Sequence, residues 1–292
     1  MLWRKGRSSD NVEQATGGGG GFGFRRVHLG LGGTIIAIII AMFFPSTRGI
    51  IFGLLTGSGG GATVSNTPAH VAKVNCGSDA QTQFACKILG STEDVWSAYF
   101  RHAGQQYVDP KLVLFHGSVA TACGGASAAV GPFYCPGDKR VYLDLDFFQE
   151  LAARFHSDSD FARAYVIAHE VGHHVQDQLG ITDMEQQLAQ RGEPMQGADG
   201  LSVRLELQAD CFAGVWANRS QQQLQWLQPG DVERALNAAS QIGDDTLQRE
   251  ARGTVVPDSF THGTSAQRVR WFKTGFQSGN INACDTFHAQ TL

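Results

Sequence analysis

The chain has 292 residues, 42% of them hydrophobic and 17% charged, with a formal net charge of −4. That apolar share supports a real core and excludes wholesale disorder. The acidic balance excludes a general nucleic-acid binder, so no nucleic-acid partner is expected.

Glycine is the outlier, at 36 residues, and it crowds the region between Gly17 and Gly61. Such runs mark linkers. Residues 27–47 carry no formal charge with His28 neutral, and 29–44 read LGLGGTIIAIIIAMFF. About 20 apolar residues cross a bilayer. Arg4, Lys5, Arg7, Arg25 and Arg26 precede this stretch, and only Arg48 follows closely. The positive-inside rule then places the N-terminus in the cytoplasm. The expected plan is a cytoplasmic tail over 1–26, a transmembrane signal anchor over 27–47, a Gly/Ser-rich tether over 48–69 and a globular domain over 70–292. The plan implies a single-pass protein of the inner (cytoplasmic) membrane with a periplasmic domain. A cleaved signal peptide and a buried soluble helix are the alternatives.

Downstream, Ser91 with Glu93 and Asp94 behind it predicts a helix over 91–106. The KLVLF run at 111–115 reads as a strand. Residues 120–136, rich in small residues, read as a loop. The alternation in RVYLDLD at 140–146 has strand period. A helix follows over 147–156. Ser157, Asp158, Ser159 and Asp160 offer N-caps for another helix running to Gln178. Further helices are expected over 201–222, after Pro229-Gly230-Asp231, and from Thr264 or Ser265 through Phe276. The balance is helix-rich α+β with a small sheet.

All six cysteines lie beyond residue 70, and none forms a C-x-x-C pair. That argues against a zinc ribbon and for disulfides in an oxidising compartment. The pairs Cys76–Cys86, Cys123–Cys135 and Cys211–Cys284 are favoured. The first two close short loops, and the third ties the C-terminal tail to a helix. Six cysteines leave about fifteen connectivities open.

The chemistry concentrates in His169-Glu170-Val171-Gly172-His173, an H-E-x-x-H motif. Residues at i and i+4 share a helical face, so both imidazoles can meet one ion. Glu170 is placed to act as general base on the attacking water. Apolar Tyr165, Val166, Ile167, Ala168, Val171 and Val175 surround the motif. Two histidines and a glutamate buried there need a partner, and a metal supplies one. Gly172 lets another backbone approach.

A catalytic zinc takes three protein ligands. Glu206 is the expected third, with Asp210 at i+4 accepting a ring N–H from a ligand histidine. The exchange of those two roles is the alternative. His174 points about 100° away and reads as a packing residue. His262, in a loop before the last helix, and Tyr142, on the strand, are candidate catalytic donors to the oxyanion. Arg268 and Arg270 read as structural partners of core carboxylates, with a substrate carboxylate as the other reading. The 140–145 strand is either a sheet-core strand or an exposed edge that pairs with an extended peptide.

These motifs resemble the bacterial neutral zinc metallopeptidases of the YpfJ-like type, nearly end to end. The likeness runs through Arg7-Ser8-Ser9-Asp10-Asn11-Val12-Glu13, Ala122-Cys123-Gly124, Gly131-Pro132-Phe133-Tyr134-Cys135-Pro136 and Val141-Tyr142-Leu143-Asp144. It continues through 168–176, 206–211 and 262–271. Gln14 departs from the acidic residue expected after Glu13. The resemblance implies a membrane-anchored, zincin-like H-E-x-x-H domain holding one Zn2+ per chain with a glutamate as third ligand. It implies no substrate.

The leading expectation is a zinc metallopeptidase acting on peptide or protein substrates in the bacterial envelope. A cell-wall peptide amidase or peptidase is the second reading. A non-catalytic zinc-stabilised module that binds partners is the third.

Overall fold

A computed structural model describes residues 1–16, 70–127, 131–148 and 159–292. One mixed sheet backs a layer of helices. Its strands are β1 (Val12–Thr16), β2 (His70–Lys73), β3 (Lys111–Phe115), β6 (Phe133–Cys135) and β7 (Arg140–Asp144). They lie in the order β2-β1-β3-β7-β6. β1, β3 and β7 run parallel, while β2 and β6 are antiparallel to their neighbours. The alternation read in the sequence sorts side chains by face. Leu112, Leu114, Val141 and Leu143 enter the main core, whereas Val113, Phe115 and Tyr142 form a smaller cluster.

The N-terminus corrects the expected plan. Residues 1–16 are not a separate tail. β1 hydrogen-bonds in register to β2 and β3, with Val12 opposite Leu112. Buried Glu93 accepts from Arg7 Nη2 at 2.6 Å, Ser9 Oγ at 2.5 Å and Asn11 Nδ2 at 2.9 Å. The Met1 ammonium pairs with Asp231 at 3.0 Å, both groups buried. The 7–13 motif is therefore a docking device for the first strand.

Hydrogen-bonded strands share one compartment. A single crossing that leaves residue 12 in the cytoplasm and residue 112 outside it is excluded. The expected anchor (27–47) and tether (48–69) lie outside the described residues. No helix among the described residues is long and apolar enough to cross a membrane.

The helices are α1 (Ala80–His102), α2 (Asp160–Gln178), α3 (Ile181–Gln190), α4 (Leu201–Leu224), α5 (Asp231–Gln241), α6 (Asp244–Arg252) and α7 (Ser265–Ser278). α1 starts eleven residues before the expected position, capped by Asp79, whose carboxylate accepts Thr82 N–H at 2.8 Å. Ser91 is interior and its hydroxyl donates to Ile88 O. Ser159 caps α2, and Thr264 with Gln267 forms a capping box on α7. α3 and α6 were not among the expected elements, although Ile181, Met184 and Leu188 space one apolar stripe along α3. The expected loop at 120–136 instead holds the end of β4 (Ser118–Thr121), β5 (Gly124–Ser127) and β6. The helix expected over 147–156 lies mostly outside the described residues.

Two glycines permit the contacts that hold the site helices. A Cβ at Gly275 would sit 1.9 Å from Cys211 O, so α7 and α4 touch backbone to backbone. A Cβ at Gly172 would meet Ala209 O at 3.1 Å, the close approach expected between α2 and α4.

The three favoured disulfides are all present, and no described cysteine is free. They fit an oxidising compartment outside the cytoplasm. Cys211–Cys284 closes the longest loop, at a sequence separation of 73. Loop-closure entropy gives a link of this length about 4 kcal/mol. Replacing both cysteines by alanine is expected to lower unfolding stability by that amount in urea titration.

Candidate metal centre

α2 carries the H-E-x-x-H motif on its buried side. His169 is 6% exposed and Glu170 8%. α4 crosses at Gly172 and brings Glu206 to the histidines. His169 Nε2 lies 3.1 Å from Glu206 Oε2, and His173 Nε2 lies 3.5 Å from Glu206 Oε1. One donor atom from each of these residues lies within 4.8 Å of the others. Two imidazoles and a carboxylate form the donor set of a catalytic zinc site. The residues fit the metal, and among the described residues only these three complete the cluster.

The surroundings aim each ligand. His169 Nδ1 faces Asp210 Oδ1 at 2.8 Å. That bond directs Nε2 towards the centre and fixes the tautomer. Asp210 is fully buried. It accepts from Arg268 Nε at 2.9 Å, Arg268 Nη2 at 3.0 Å and the Tyr165 hydroxyl. Glu206 thus stands beside both histidines and Asp210 behind His169, while Arg268 pairs with the core carboxylate of Asp210. Arg270 instead donates to Leu292 O at 3.1 Å. His173 Nδ1 lies 2.9 Å from Gln176 Oε1, while Gln176 Nε2 donates to Leu205 O at 2.8 Å.

Charges in the site are strongly coupled. Burial raises the Glu206 carboxyl, but His173, His262 and His169 outweigh it and hold it well below the usual range. Burial lowers His169, but Asp210 and Glu206 overcome this and push it up to about 10. Burial pushes the Glu170 carboxyl up, partly offset by the two histidines.

His262 reaches the same centre. It interacts electrostatically with Glu206, and its Nδ1 lies 2.9 Å from Thr261 Oγ1 and 3.5 Å from Asp244 Oδ1. Asp244 holds the loop by accepting the backbone N–H groups of Thr261, His262 and Gly263 at 2.7, 2.7 and 3.2 Å. Tyr142 is the misplaced candidate. It stands in the smaller cluster, stacked on Phe133 with ring centroids 5.0 Å apart. Its hydroxyl donates to Asp138 Oδ2 at 2.8 Å. Strand alternation gave two faces without saying which one meets α2. His174 packs as expected: its Nε2 donates to Val108 O at 2.7 Å, and burial lowers its pKa.

The sequence reading missed Asp244, Tyr165 and Gln176 as supporting residues. Only Gln176 carried a signal, three residues past His173 on the same helix. It also missed Glu185 on α3. That buried carboxyl is pushed up to about 7, first by burial and then by Glu206.

Comparison with known proteins decides the family. Residues 1–287 match the family described as putative neutral zinc metallopeptidase. The chain belongs to this family. Its relatives include the uncharacterized protein YpfJ of Escherichia coli K12, 47% identical over 293 residues and covering 98% of this chain and 99% of YpfJ. The uncharacterized protein Rv2575 of Mycobacterium tuberculosis H37Rv is 42% identical over 259 residues, covering 82% of this chain and 86% of that protein. No solved structure matches the chain. The match beginning at residue 1 agrees with a first strand built into the family's domain.

Proposed function

We propose that the chain is a zinc-dependent endopeptidase of the bacterial envelope, with one zinc held by His169, His173 and Glu206. The observation that carries this reading is a three-ligand cluster with the buried Glu170 between its two histidines on the same helix. A purely structural zinc site closes four ligands and needs no base. Zinc held there would supply Lewis-acid polarisation of the scissile carbonyl and a lowered pKa for the attacking water. Glu170 takes the proton from that water on its carboxylate and passes it to the leaving amine. His262 donates to the oxygen of the attacked carbonyl, oriented by Asp244.

The substrate is an extended peptide. β7 is internal, which corrects the edge reading of 140–145, and β6 is the sheet edge beside α2. Tyr134 on β6 lays its hydroxyl 3.0 Å from Asp177 Oδ2 on α2, the helix that carries Glu170. A peptide added antiparallel to β6 would run past Glu170.

The reading is tested by incubating the zinc-loaded chain with unfolded protein and with cell-wall peptides side by side. Cleavage of the protein substrate supports an endopeptidase. Cleavage of wall peptides alone overturns the substrate class. His262→Ala is expected to lower kcat by about 10²–10³ with little change in KM, the loss typical of one oxyanion donor. An unchanged kcat removes His262 from the reaction.

Three disulfides and the 27–47 apolar stretch support an envelope location at the membrane. Any crossings between residues 16 and 70 must be even in number, zero included, because β1 pairs with β2 and β3. A cysteine at exposed Asp10 is expected to react with an impermeant maleimide from the same side as one at exposed Asp285. Labelling from opposite sides contradicts the strand pairing.

A further inference from the structure

β3 and β7 run parallel, with Phe115 opposite Asp144 at their C-terminal ends. The chain turns away just beyond, so His116 and Asp146 flank the same end. His116 Nδ1 lies 2.9 Å from Asp146 Oδ1. One donor atom each from His116, Asp144 and Asp146 lies within 4.8 Å of the others. None of these residues belongs to the catalytic cluster.

Asp144 is the unusual member. It is 0% exposed, yet no basic side chain pairs with it among the described residues. Its Oδ1 accepts the N–H of Asp146 at 3.0 Å. Its Oδ2 is buried and has no hydrogen-bond partner among the described residues. Burial pushes this carboxyl up, opposed in part by the backbone N–H groups of Asp146 and Gly117 and by His116. A buried carboxylate oxygen without a partner costs more than a neutral group left unpaired. A cation would supply the missing partner. The VYLD motif at 141–144, which the peptidase site does not use, ends on this residue.

We propose that His116, Asp144 and Asp146 form a second metal site, which takes a divalent transition metal such as zinc and clamps the ends of β3 and β7. An imidazole with two carboxylates suits zinc or manganese better than calcium or magnesium, which favour all-oxygen shells. His116 and Asp146 are 55% and 49% exposed in their side chains, so water can complete the shell and the ion can enter from solvent.

The test is metal stoichiometry of the full chain, dialysed against a buffered low-micromolar free zinc concentration and read by elemental mass spectrometry. His116→Ala/Asp146→Ala alters only half-exposed side chains, so the fold is expected to persist; circular dichroism checks this. The double variant is expected to hold one zinc fewer than the parent chain. His169→Ala/His173→Ala, at the other site, should lose a different equivalent and keep this one. If the His116/Asp146 variant binds as much zinc as the parent, the second site is overturned, whatever the catalytic site does. The zinc-edge anomalous map of a crystal gives a second readout: a peak among the three residues supports the site, and its absence at saturating zinc overturns it.

Discussion

Replacing Glu170 by glutamine is expected to abolish peptide hydrolysis while leaving the protein folded and zinc bound. The amide fills the same volume but cannot accept a proton at neutral pH. General-base catalysis contributes about 10²–10⁴ in rate, so kcat should fall by at least that factor. The substitution also removes a buried carboxyl whose charged form burial disfavours. Stability should therefore hold or rise, and Tm should not fall. Zinc per chain should stay constant, because Glu170 is not one of the three clustered donors. A variant that retains turnover with zinc in place would remove Glu170 from the mechanism. One that loses zinc would make it a ligand.

The second large effect is expected at Asp210. Asp210→Ala leaves Arg268, itself buried, without its counter-charge, and frees the His169 ring. Breaking a buried pair by removing one partner costs about 3–5 kcal/mol. Loss of a bond that orients a ligand histidine typically costs 10–100-fold in metal affinity. The two losses separate in Asp210→Ala/Arg268→Met. Removing the stranded cation should recover part of the stability, whereas zinc affinity should stay low because His169 is still unheld. Urea unfolding and zinc competition titration read the two quantities independently.

The same carboxylate sets an acid limit. Burial raises Asp210, but Arg268 and His169 prevail and hold it at about 2. A group depressed in the folded state stabilises above its ordinary pKa. That contribution is lost as pH falls from about 3.8 through about 2. The acid-unfolding curve of Asp210→Ala should therefore be flatter than that of the parent over this window.

What the sequence revealed was local in spacing. His169 with His173, and Glu206 with Asp210, are pairs at i and i+4, and each lies in a long, largely apolar run of helix formers. The cysteine pairs that close short loops were legible for the same reason. The N-terminal strand was not. VEQAT carries no strong period, and its parallel partner β3 lies about a hundred residues away. The apolar 27–47 stretch between them then suggested two compartments where the sheet needs one. Asp244 was hidden in the polar run of α6, since its role depends on the α7 loop folding back over it. Tyr142 and the sheet edge failed together. Period two reports alternation, but only the order β3-β7-β6 tells which strand is outermost and which face meets α2.

The central claim is hydrolysis of peptide bonds by a metal centre built on His169, His173 and Glu206. The most direct measurement counts new α-amino termini in an unfolded protein substrate, by mass spectrometry. The full chain would be tested zinc-loaded, chelated and reloaded. New termini should appear with the loaded protein, vanish on chelation and return with zinc. A folded, zinc-loaded chain that generates none, or a chelated chain that cleaves equally well, would contradict the account.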